Sequence, residues 1–320
     1  MNILIIGTGA IGIALGASMI SQKANVSFYA REKTAQAIKT EGIQRIGIFN
    51  HLKYDSNKFT VYTNYEEIPS NIFDYILITS KTTANNDISR ALHENKRILG
   101  KNTKIIIFQN GFGNDEPYIQ YFDKTRVYCA RVITGFTRPQ RHISEITVHT
   151  QPILIGSLQN QDTQDIEVIS EMINKSGIPS KTTKDIDKYL WAKMLYNCTL
   201  NPLGAILDVN YGKLTENNYS INIMNKLIDE IFNVITASGY STLWKTSDDY
   251  KKEFYSKLVP DTYNHKPSTL QDIKKKQKTE IDTLNGKIIQ LAKQNNVEVP
   301  VNEIIYDMIK TIESNFEESE

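Results

Sequence analysis

The pattern of hydrophobic and polar positions divides the chain into two parts. In the first part, short apolar runs with little alternation lie between stretches of helical periodicity, such as Ile13–Gln22. That pattern is typical of buried parallel strands joined by helices. The predicted strands are Asn2–Ile6, Val26–Ala30, Tyr75–Thr79, Lys104–Phe108, Val127–Cys129 and Pro152–Ile155. Strands that alternate with helices predict an α/β domain with a parallel sheet.

After about Ser180 the pattern becomes helical, with apolar residues three or four positions apart and few β-branched runs. The predicted helices are Asp185–Leu207, Ser220–Ala237, Thr246–Leu258, Ser268–Gln294 and Val301–Phe316. The segment 174–181 contains a glycine and a proline and predicts the domain boundary. We therefore expect an α/β domain over residues 1–180 and an all-α domain over residues 181–320.

Charge and composition exclude several classes of protein. The 320 residues carry 37 Lys and Arg against 36 Asp and Glu, a balance that argues against binding to nucleic acid. Two cysteines and five scattered histidines show no metal-ligand spacing, so no metal site is predicted. The uncharged stretch Ile3–Ile20 contains four glycines and follows no basic residue, which favours soluble structure over a signal peptide or membrane span. We expect a cytoplasmic protein without membrane partners, and the exposed helical faces are compatible with a homodimer.

The first predicted strand and helix are joined by a nucleotide-binding signature. The residues are Gly7, Thr8, Gly9, Ala10, Ile11 and Gly12, which fit G-x-G-x-x-G. In this motif the first glycine permits a tight turn, the second admits a pyrophosphate, and the third allows close packing of helix and strand. The phosphates then lie at the helix N-terminus, where free N–H groups favour an anion.

The end of the second strand indicates which cofactor binds. An NAD site usually has an acidic residue there, whereas the first charge after this strand is Arg31, 19 positions beyond Gly12. A guanidinium can pair with the 2′-phosphate of NADP. Glu32 follows directly and weakens the argument, but we predict NADP(H). Lys81 and Asn110 follow two later strands, at the sheet edge where the nicotinamide end belongs.

The helical part carries two groups of polar residues. Lys193, Asn197 and Asn201 recur at four-residue spacing and share one face of an otherwise apolar helix. Ser268 with Gln271 fits a capping box, and Glu280 taken alone reads as an exposed carboxylate on the same helix. Spacing alone does not place Ser268 and Glu280 on one face, because they lie about a third of a turn apart.

Together these residues resemble the ketopantoate reductase (2-dehydropantoate 2-reductase) family along essentially the whole chain. The resemblance rests on the glycine motif, Arg31, the two strand ends, W-x-K-x-x-x-N-x-x-x-N-P-L from Trp191, and S-x-L-Q-D followed by T-E-I-D-x-x-N-G. It implies a Rossmann domain followed by an all-helical domain, a fold of the 6-phosphogluconate dehydrogenase-like kind. It also implies NADPH-dependent reduction of 2-dehydropantoate to (R)-pantoate in pantothenate and coenzyme A biosynthesis.

The resemblance assigns roles to the matching residues. Lys193 would be the general acid and Glu280 would hold it and bind the developing hydroxyl. The remaining substrate contacts would come from Asn110, Asn197, Asn201, Ser268 and Asp272, with Lys81 beside the nicotinamide end of the cofactor.

Some features keep other interpretations open. Family members often have a Gly/Thr-rich stretch after the fifth strand, whereas residues 130–136 are bulkier and include Arg131, so another 2-keto acid remains an alternative substrate. A β-hydroxyacid dehydrogenase would carry G-x-x-G-x-G-x-x-x-K before the lysine, and this chain does not. A non-catalytic NADP-binding regulator would keep the glycines but lose Lys193 and Glu280, which are present here.

Overall fold

The structure of the protein is a computed structural model that describes residues 1–70 and 72–316. The chain forms two compact units. The first contains Met1–Asn110 and Asn114–Ile186, and the second contains Gly111–Gly113 and the residues from Asp187 onward. In the described part, no helix is both long and apolar enough to cross a membrane.

The first unit is built on an eight-stranded sheet. Its strands are β1 (Asn2–Ile6), β2 (Asn25–Tyr29), β5 (Phe59–Tyr62), β6 (Phe73–Ile78), β7 (Leu99–Ile107), β8 (Val127–Arg131), β11 (Ile153–Gly156) and β12 (Ser180–Thr182). They lie in the order β12-β11-β8-β7-β6-β1-β2-β5, and all neighbours are parallel except β8 and β11. The predicted Rossmann-type parallel sheet is therefore confirmed, with one antiparallel pair that the pattern did not predict.

Helices cover this sheet because its strands are apolar on both faces. The helices of the first unit are α1 (Ala10–Ser21), α2 (Glu32–Glu41), α3 (Asn85–Glu94), α4 (Glu116–Ile119) and α5 (Gln164–Lys175). Ile3, Leu4 and Ile5 in β1 are all fully buried, as expected for a central strand of a parallel sheet.

A second sheet of this unit was not predicted. Its strands are β3 (Ile43–Gly47), β4 (Leu52–Tyr54), β9 (Thr134–Gln140) and β10 (Ile143–His149), in the order β4-β3-β10-β9. Arg45 of β3 is completely buried and donates to the Ser18 hydroxyl at 2.6 Å and the Ser176 carbonyl at 2.5 Å. Burial lowers the pKa of Arg45 to about 10. A charged residue at an inward position conceals the apolar alternation by which a strand is recognised.

The second unit is helical in its described part, as predicted. Its helices are α6 (Ile186–Ile206), α7 (Asn218–Ala237), α8 (Ser247–Glu253), α9 (Ser268–Lys274), α10 (Asn285–Gln294) and α11 (Pro300–Ser314). A π-helical turn, Phe254–Leu258, continues α8 over the rest of the predicted Thr246–Leu258 helix.

The prediction of one helix over Ser268–Gln294 is wrong. Helix α9 ends at Lys274 because Lys276 adopts a left-handed conformation with φ of 50°. The N–H of Gln277 then turns back to the Asp272 carbonyl at 3.0 Å, a bond that closes helix C-termini. Ten residues, 275–284, separate α9 from α10, and Glu280 lies among them.

Candidate active site

The glycine motif forms a tight turn between β1 and α1. Gly7 has φ of 102°, and a side-chain carbon there would lie 2.3 Å from the backbone nitrogen of Ser80. A side-chain carbon at Gly12 would lie 2.2 Å from the Gly7 carbonyl oxygen. The Thr79 hydroxyl donates to the Gly7 carbonyl. Both glycines are therefore required by the close packing of the turn itself.

Gly9 differs from both, because a side-chain carbon at this position would meet, apart from its chain neighbours and its own helix, no atom of the described residues within 4 Å. Gly9 is the N-cap residue of α1, no side chain caps this end, and the first turn holds no acidic residue. The start of α1 therefore has N–H groups without a side-chain cap, next to an open position at Gly9. This arrangement fits a bound pyrophosphate, which needs both an approachable backbone and free donors.

The other residues predicted to bind the cofactor lie at the same edge of the sheet. Arg31 is exposed and precedes α2 directly, Lys81 is exposed after β6, and Asn110 is half-buried after β7. The strands β7, β6, β1 and β2 are neighbours in the sheet, so their carboxyl ends bring these residues to one edge. Thr8 is buried and its hydroxyl donates to the Tyr29 carbonyl at 3.2 Å, so this side chain stabilises the turn.

Sequence reasoning missed a buried amide network under this edge. Gln109 is buried and its Nε2 donates to the Asn85 Oδ1 at 2.7 Å and the Ser80 carbonyl at 3.0 Å. Asn85 in turn donates to the Asn114 Oδ1, and Asn114 donates to the Asn110 carbonyl at 2.7 Å. The network therefore holds the backbone carbonyl of Ser80, directly before Lys81, and the carbonyl of Asn110 itself. The only signal in the sequence was polar residues directly after buried strands.

In the second unit, α6 presents the predicted polar face. Lys193 and Asn197 are half-buried, and Asn201 is only 3% exposed. The Asn201 Oδ1 accepts bonds from the Tyr211 hydroxyl at 2.5 Å and from the Ser268 backbone N–H at 3.2 Å. The structure therefore brings together two predicted substrate residues, Asn201 and Ser268, that are 67 positions apart.

Ser268 does not form the predicted capping box. It is the first residue of α9, the N-cap residue is Pro267, and no side chain caps this helix. Gln271 instead donates from its Nε2 to the Lys266 carbonyl at 3.3 Å. The exposed Ser268 hydroxyl makes no hydrogen bond within the described residues, and Asp272 is half-buried one turn further along α9.

Glu280 is not the exposed helix carboxylate that its surroundings in the sequence suggested. It is half-buried in the loop before α10. Its neighbour Thr279 is buried and donates from both its N–H and its hydroxyl to the Glu313 Oε1, at 2.7 and 2.6 Å. Lys310 pairs with the other oxygen of Glu313 at 3.2 Å. Helix α11 therefore fixes the backbone beside Glu280.

The other end of this loop is bound to α6. Pro202 has no N–H, so the Cys198 carbonyl four residues earlier loses its helical partner. The fully buried Asn285 replaces that donor with its Nδ2, 3.2 Å from the Cys198 oxygen, and also donates to the Asn302 Oδ1 at 3.0 Å. The loop of Glu280 is thus attached to the helix that carries Lys193. Asn285 stands in the T-E-I-D-x-x-N-G motif, but its role was not predicted.

We expect Asn285→Ala to lower the free energy of unfolding by about 1–3 kcal/mol, because it leaves two buried carbonyl oxygens without a donor. Adding Pro202→Ala should recover part of the loss, since alanine restores an N–H that can bond to the Cys198 carbonyl. Urea denaturation of the wild type, both single variants and the double variant measures this. If Asn285→Ala lowered the free energy of unfolding equally with and without the Pro202→Ala change, Asn285 would not be replacing the N–H donor that Pro202 lacks.

Comparison with known proteins finds relatives that match nearly the whole chain. The family model of ketopantoate reductase PanE/ApbA matches residues 3–160, and the model of its C-terminal part matches residues 185–313. The chain is 38% identical to 2-dehydropantoate 2-reductase of Aquifex aeolicus over 98% of this chain and 97% of that protein. It is 30% identical to 2-dehydropantoate 2-reductase of Pyrococcus horikoshii, over 98% of each chain.

Solved structures share the fold over nearly the full length. A PanE/ApbA family ketopantoate reductase from Ralstonia eutropha has a TM-score of 0.84 at 22% identity and covers 99% of this chain and 100% of its own. D-mandelate dehydrogenase, solved with NADH and anilino(oxo)acetate, has a TM-score of 0.85 at 20% identity with the same coverage. At these identities the likeness establishes the fold alone.

The fold and the site define a Rossmann-type oxidoreductase with an additional helical unit. Its sheet carries a dinucleotide-type glycine turn, and its longest described helix carries a lysine and two asparagines on one face. Within this class of enzymes, the family models and the 38% identical relative show which family is the right one. The chain belongs to the ketopantoate reductase family.

Proposed function

We propose that the protein reduces 2-dehydropantoate to (R)-pantoate with NADPH, a step of pantothenate and coenzyme A biosynthesis. The observation that carries the proposal is the meeting of Asn201 on α6 with Ser268 on α9, which juxtaposes two residues assigned to the substrate. The 38% identity to a 2-dehydropantoate 2-reductase over nearly the whole chain supports it. Absorbance of NADPH during incubation with 2-dehydropantoate, followed by chiral analysis of the product, tests it.

Lys193 is the proposed general acid. Reduction of a 2-keto acid turns the C2 carbonyl into a hydroxyl, which requires a hydride at C2 and a proton at the oxygen. NADPH supplies the hydride when it is bound. The ammonium group of Lys193 gives its proton to the carbonyl oxygen as negative charge develops there, and the resulting amine regains a proton from solvent.

Glu280 holds Lys193 and accepts a hydrogen bond from the new hydroxyl in this proposal. Its loop is attached to α11 through Thr279 and Glu313, and to α6 through Asn285 and Cys198. These two attachments hold the backbone before and after Glu280, which limits how far its carboxylate can move. Fixed groups of this kind lower the barrier because they need not reorganise during the reaction.

The remaining polar residues are proposed to bind the substrate. Asn197 and Asn201 face the hydroxyl end, and the exposed Ser268 hydroxyl donates to the carboxylate, with Asp272 as its support. Asn110 is also assigned to the substrate. The Asn197 side chain makes no hydrogen bond within the described residues, so its amide is available to a ligand. Gly7–Gly12 with Arg31 and Lys81 hold the cofactor in the same proposal. Action in the cytoplasm and assembly as a homodimer stay predictions from the sequence.

Preference for NADPH over NADH is proposed to come from Arg31. We expect Arg31→Ala to weaken NADPH binding by about tenfold or more, since hydrogen bonds between charged groups contribute about 1.5–3 kcal/mol. NADH affinity should stay unchanged, because NADH has no 2′-phosphate. Titration of both cofactors by tryptophan fluorescence measures the two constants, with Lys39→Ala, at an exposed position in the last turn of α2, as the control. Equal weakening of both cofactors would show that Arg31 does not read the 2′-phosphate.

A related 2-keto acid is the second candidate substrate. Arg131 ends β8, is 2% exposed, and donates to the Gln151 Oε1 at 2.7 Å. This arginine stands where family members often have a Gly/Thr-rich stretch, so the pocket for the acyl end can differ. A panel of 2-keto acids separates the two candidates.

A further inference from the structure

Tyr211 lies in the second unit and connects the substrate-binding residues described above. It belongs to a short 3-10 helix, Tyr211–Thr215, that follows α6. Its N–H donates to the His265 carbonyl at 3.2 Å, and the next N–H, of Gly212, donates to the Tyr263 carbonyl at 2.9 Å. The backbone at Tyr211 is therefore bonded to the segment that leads into Ser268.

The Tyr211 side chain is enclosed, with only one polar partner for its hydroxyl among the described residues. The residue is 3% exposed, and its ring packs against Tyr196 and His265 with centroid distances of 5.6 and 5.0 Å. Burial raises the pKa of Tyr211 well above its usual value, so the hydroxyl keeps its proton. That proton is directed at the Asn201 Oδ1, 2.5 Å away.

The two bonds to Asn201 determine which way its amide points. The Ser268 backbone N–H can only donate, so the atom of Asn201 that faces it, at 3.2 Å, must be the oxygen. The Tyr211 hydroxyl faces the same atom and must donate as well. The opposite orientation would set the Asn201 amino group against two donors. The amino group, Nδ2, makes no hydrogen bond within the described residues.

We propose that Tyr211 is a positioning residue that fixes the amide of Asn201 with its amino group as the donor offered to the substrate. The proposal rests on the proposed function, because it assigns Asn201 to the substrate. Tyr211 itself touches no reacting atom. Tyr211 keeps the Asn201 amide in one orientation, so no free energy of substrate binding is lost in selecting that orientation.

The test compares Tyr211→Phe with the wild type. Loss of one hydrogen bond to the buried Asn201 oxygen should raise KM for 2-dehydropantoate by about tenfold. The dissociation constant of NADPH should not change, and kcat should change less than KM. Tyr250→Phe is the matched control, because Tyr250 is also buried in the second unit and its hydroxyl has no partner in the described part of the chain. This control should leave KM unchanged.

A second variant separates amide orientation from simple packing. In Asn201→Asp the two carboxylate oxygens are equivalent, so both donors keep an acceptor while the amino donor is lost. We expect a low kcat/KM in this variant, with no further loss when Tyr211→Phe is added. A Tyr211→Phe effect of the same size with and without the Asn201→Asp change would overturn the positioning role, as would an unchanged KM in the Tyr211→Phe single variant. Absence of turnover by the wild type would instead overturn the proposed function, and the role of Tyr211 with it.

Discussion

Replacing Lys193 by alanine is expected to lower turnover of 2-dehydropantoate by about 10²–10⁴-fold, the range that a positioned general acid contributes. Lys193 lies half-buried on α6 in the second unit, whereas the glycine turn belongs to the first. Because the proposed role of Lys193 is to give a proton to the substrate and not to bind the cofactor, NADPH affinity should stay at the wild-type value. Single-turnover measurements of NADPH oxidation, with a separate titration of NADPH, give the two quantities.

Two further variants define what Lys193 contributes. Lys193→Arg keeps the positive charge but does not release its proton, because a guanidinium stays protonated in proteins. If proton donation is the role, this variant should be nearly as slow as Lys193→Ala. Lys226→Ala, a change at an exposed position of α7, is the control and should leave kcat unchanged. Turnover near the wild-type level in Lys193→Ala would remove the assignment.

Substitution of Gly9 by alanine is expected to weaken NADPH binding by about 10–100-fold while the protein stays folded. Beyond its chain neighbours and its own helix, the new methyl group meets no atom of the described residues within 4 Å, and the backbone at Gly9, with φ of −84°, accepts alanine. The cost to folding should stay below about 1 kcal/mol, the difference between glycine and alanine at an N-cap. The same methyl group occupies the space beside the first N–H groups of α1, and overpacking of this kind costs about 1–3 kcal/mol.

Gly12→Ala is the matched variant, in which we expect the main cost to fall on folding and not on NADPH binding. Its methyl group would lie 2.2 Å from the Gly7 carbonyl oxygen, so the turn itself must move. We expect a lower Tm for Gly12→Ala and a nearly unchanged Tm for Gly9→Ala, measured without cofactor. If Gly9→Ala bound NADPH as tightly as the wild type, the turn would not be the site of the pyrophosphate.

The parallel sheet could be predicted from the sequence because its strands are continuous apolar runs. Ile3, Leu4 and Ile5 are buried on both faces of the sheet, so neither face needs polar residues. The second sheet could not be predicted in this way. Arg45 of β3 and Ser144 of β10 are completely buried, and polar residues at inward positions remove the alternation that identifies a strand.

The position of three candidate residues on one helix face could be predicted from the sequence, but the contacts that hold the loop of Glu280 could not. Lys193, Asn197 and Asn201 share a helix, so a four-residue spacing suffices to place them on one face. The loop of Glu280 depends instead on a left-handed residue at Lys276, which no apolar pattern reveals. The Asn285 bond to the Cys198 carbonyl does have a signal in the sequence, because Pro202, which has no N–H, follows Cys198 by four residues.

The hydrogen bond between Tyr211 and Asn201 shows why the other contacts of the candidate site could not be predicted from the sequence. The chain leaves α6 after Ile206 and turns back at Tyr211, and the distance between the two side chains depends on that turn. Nothing in the residue types of the turn indicates that a buried phenol meets a helix asparagine. Contacts of this kind depend on tertiary packing, which local patterns do not contain.

The central claim is the reduction of 2-dehydropantoate with NADPH, and its most direct measurement is kcat/KM for a panel of 2-keto acids with NADPH and with NADH. The proposed function predicts the highest value for 2-dehydropantoate with NADPH, and a far lower value for the same acid with NADH. A higher value for another 2-keto acid would assign the enzyme to that substrate. Failure to oxidise either cofactor with any of these acids would contradict the proposed function altogether.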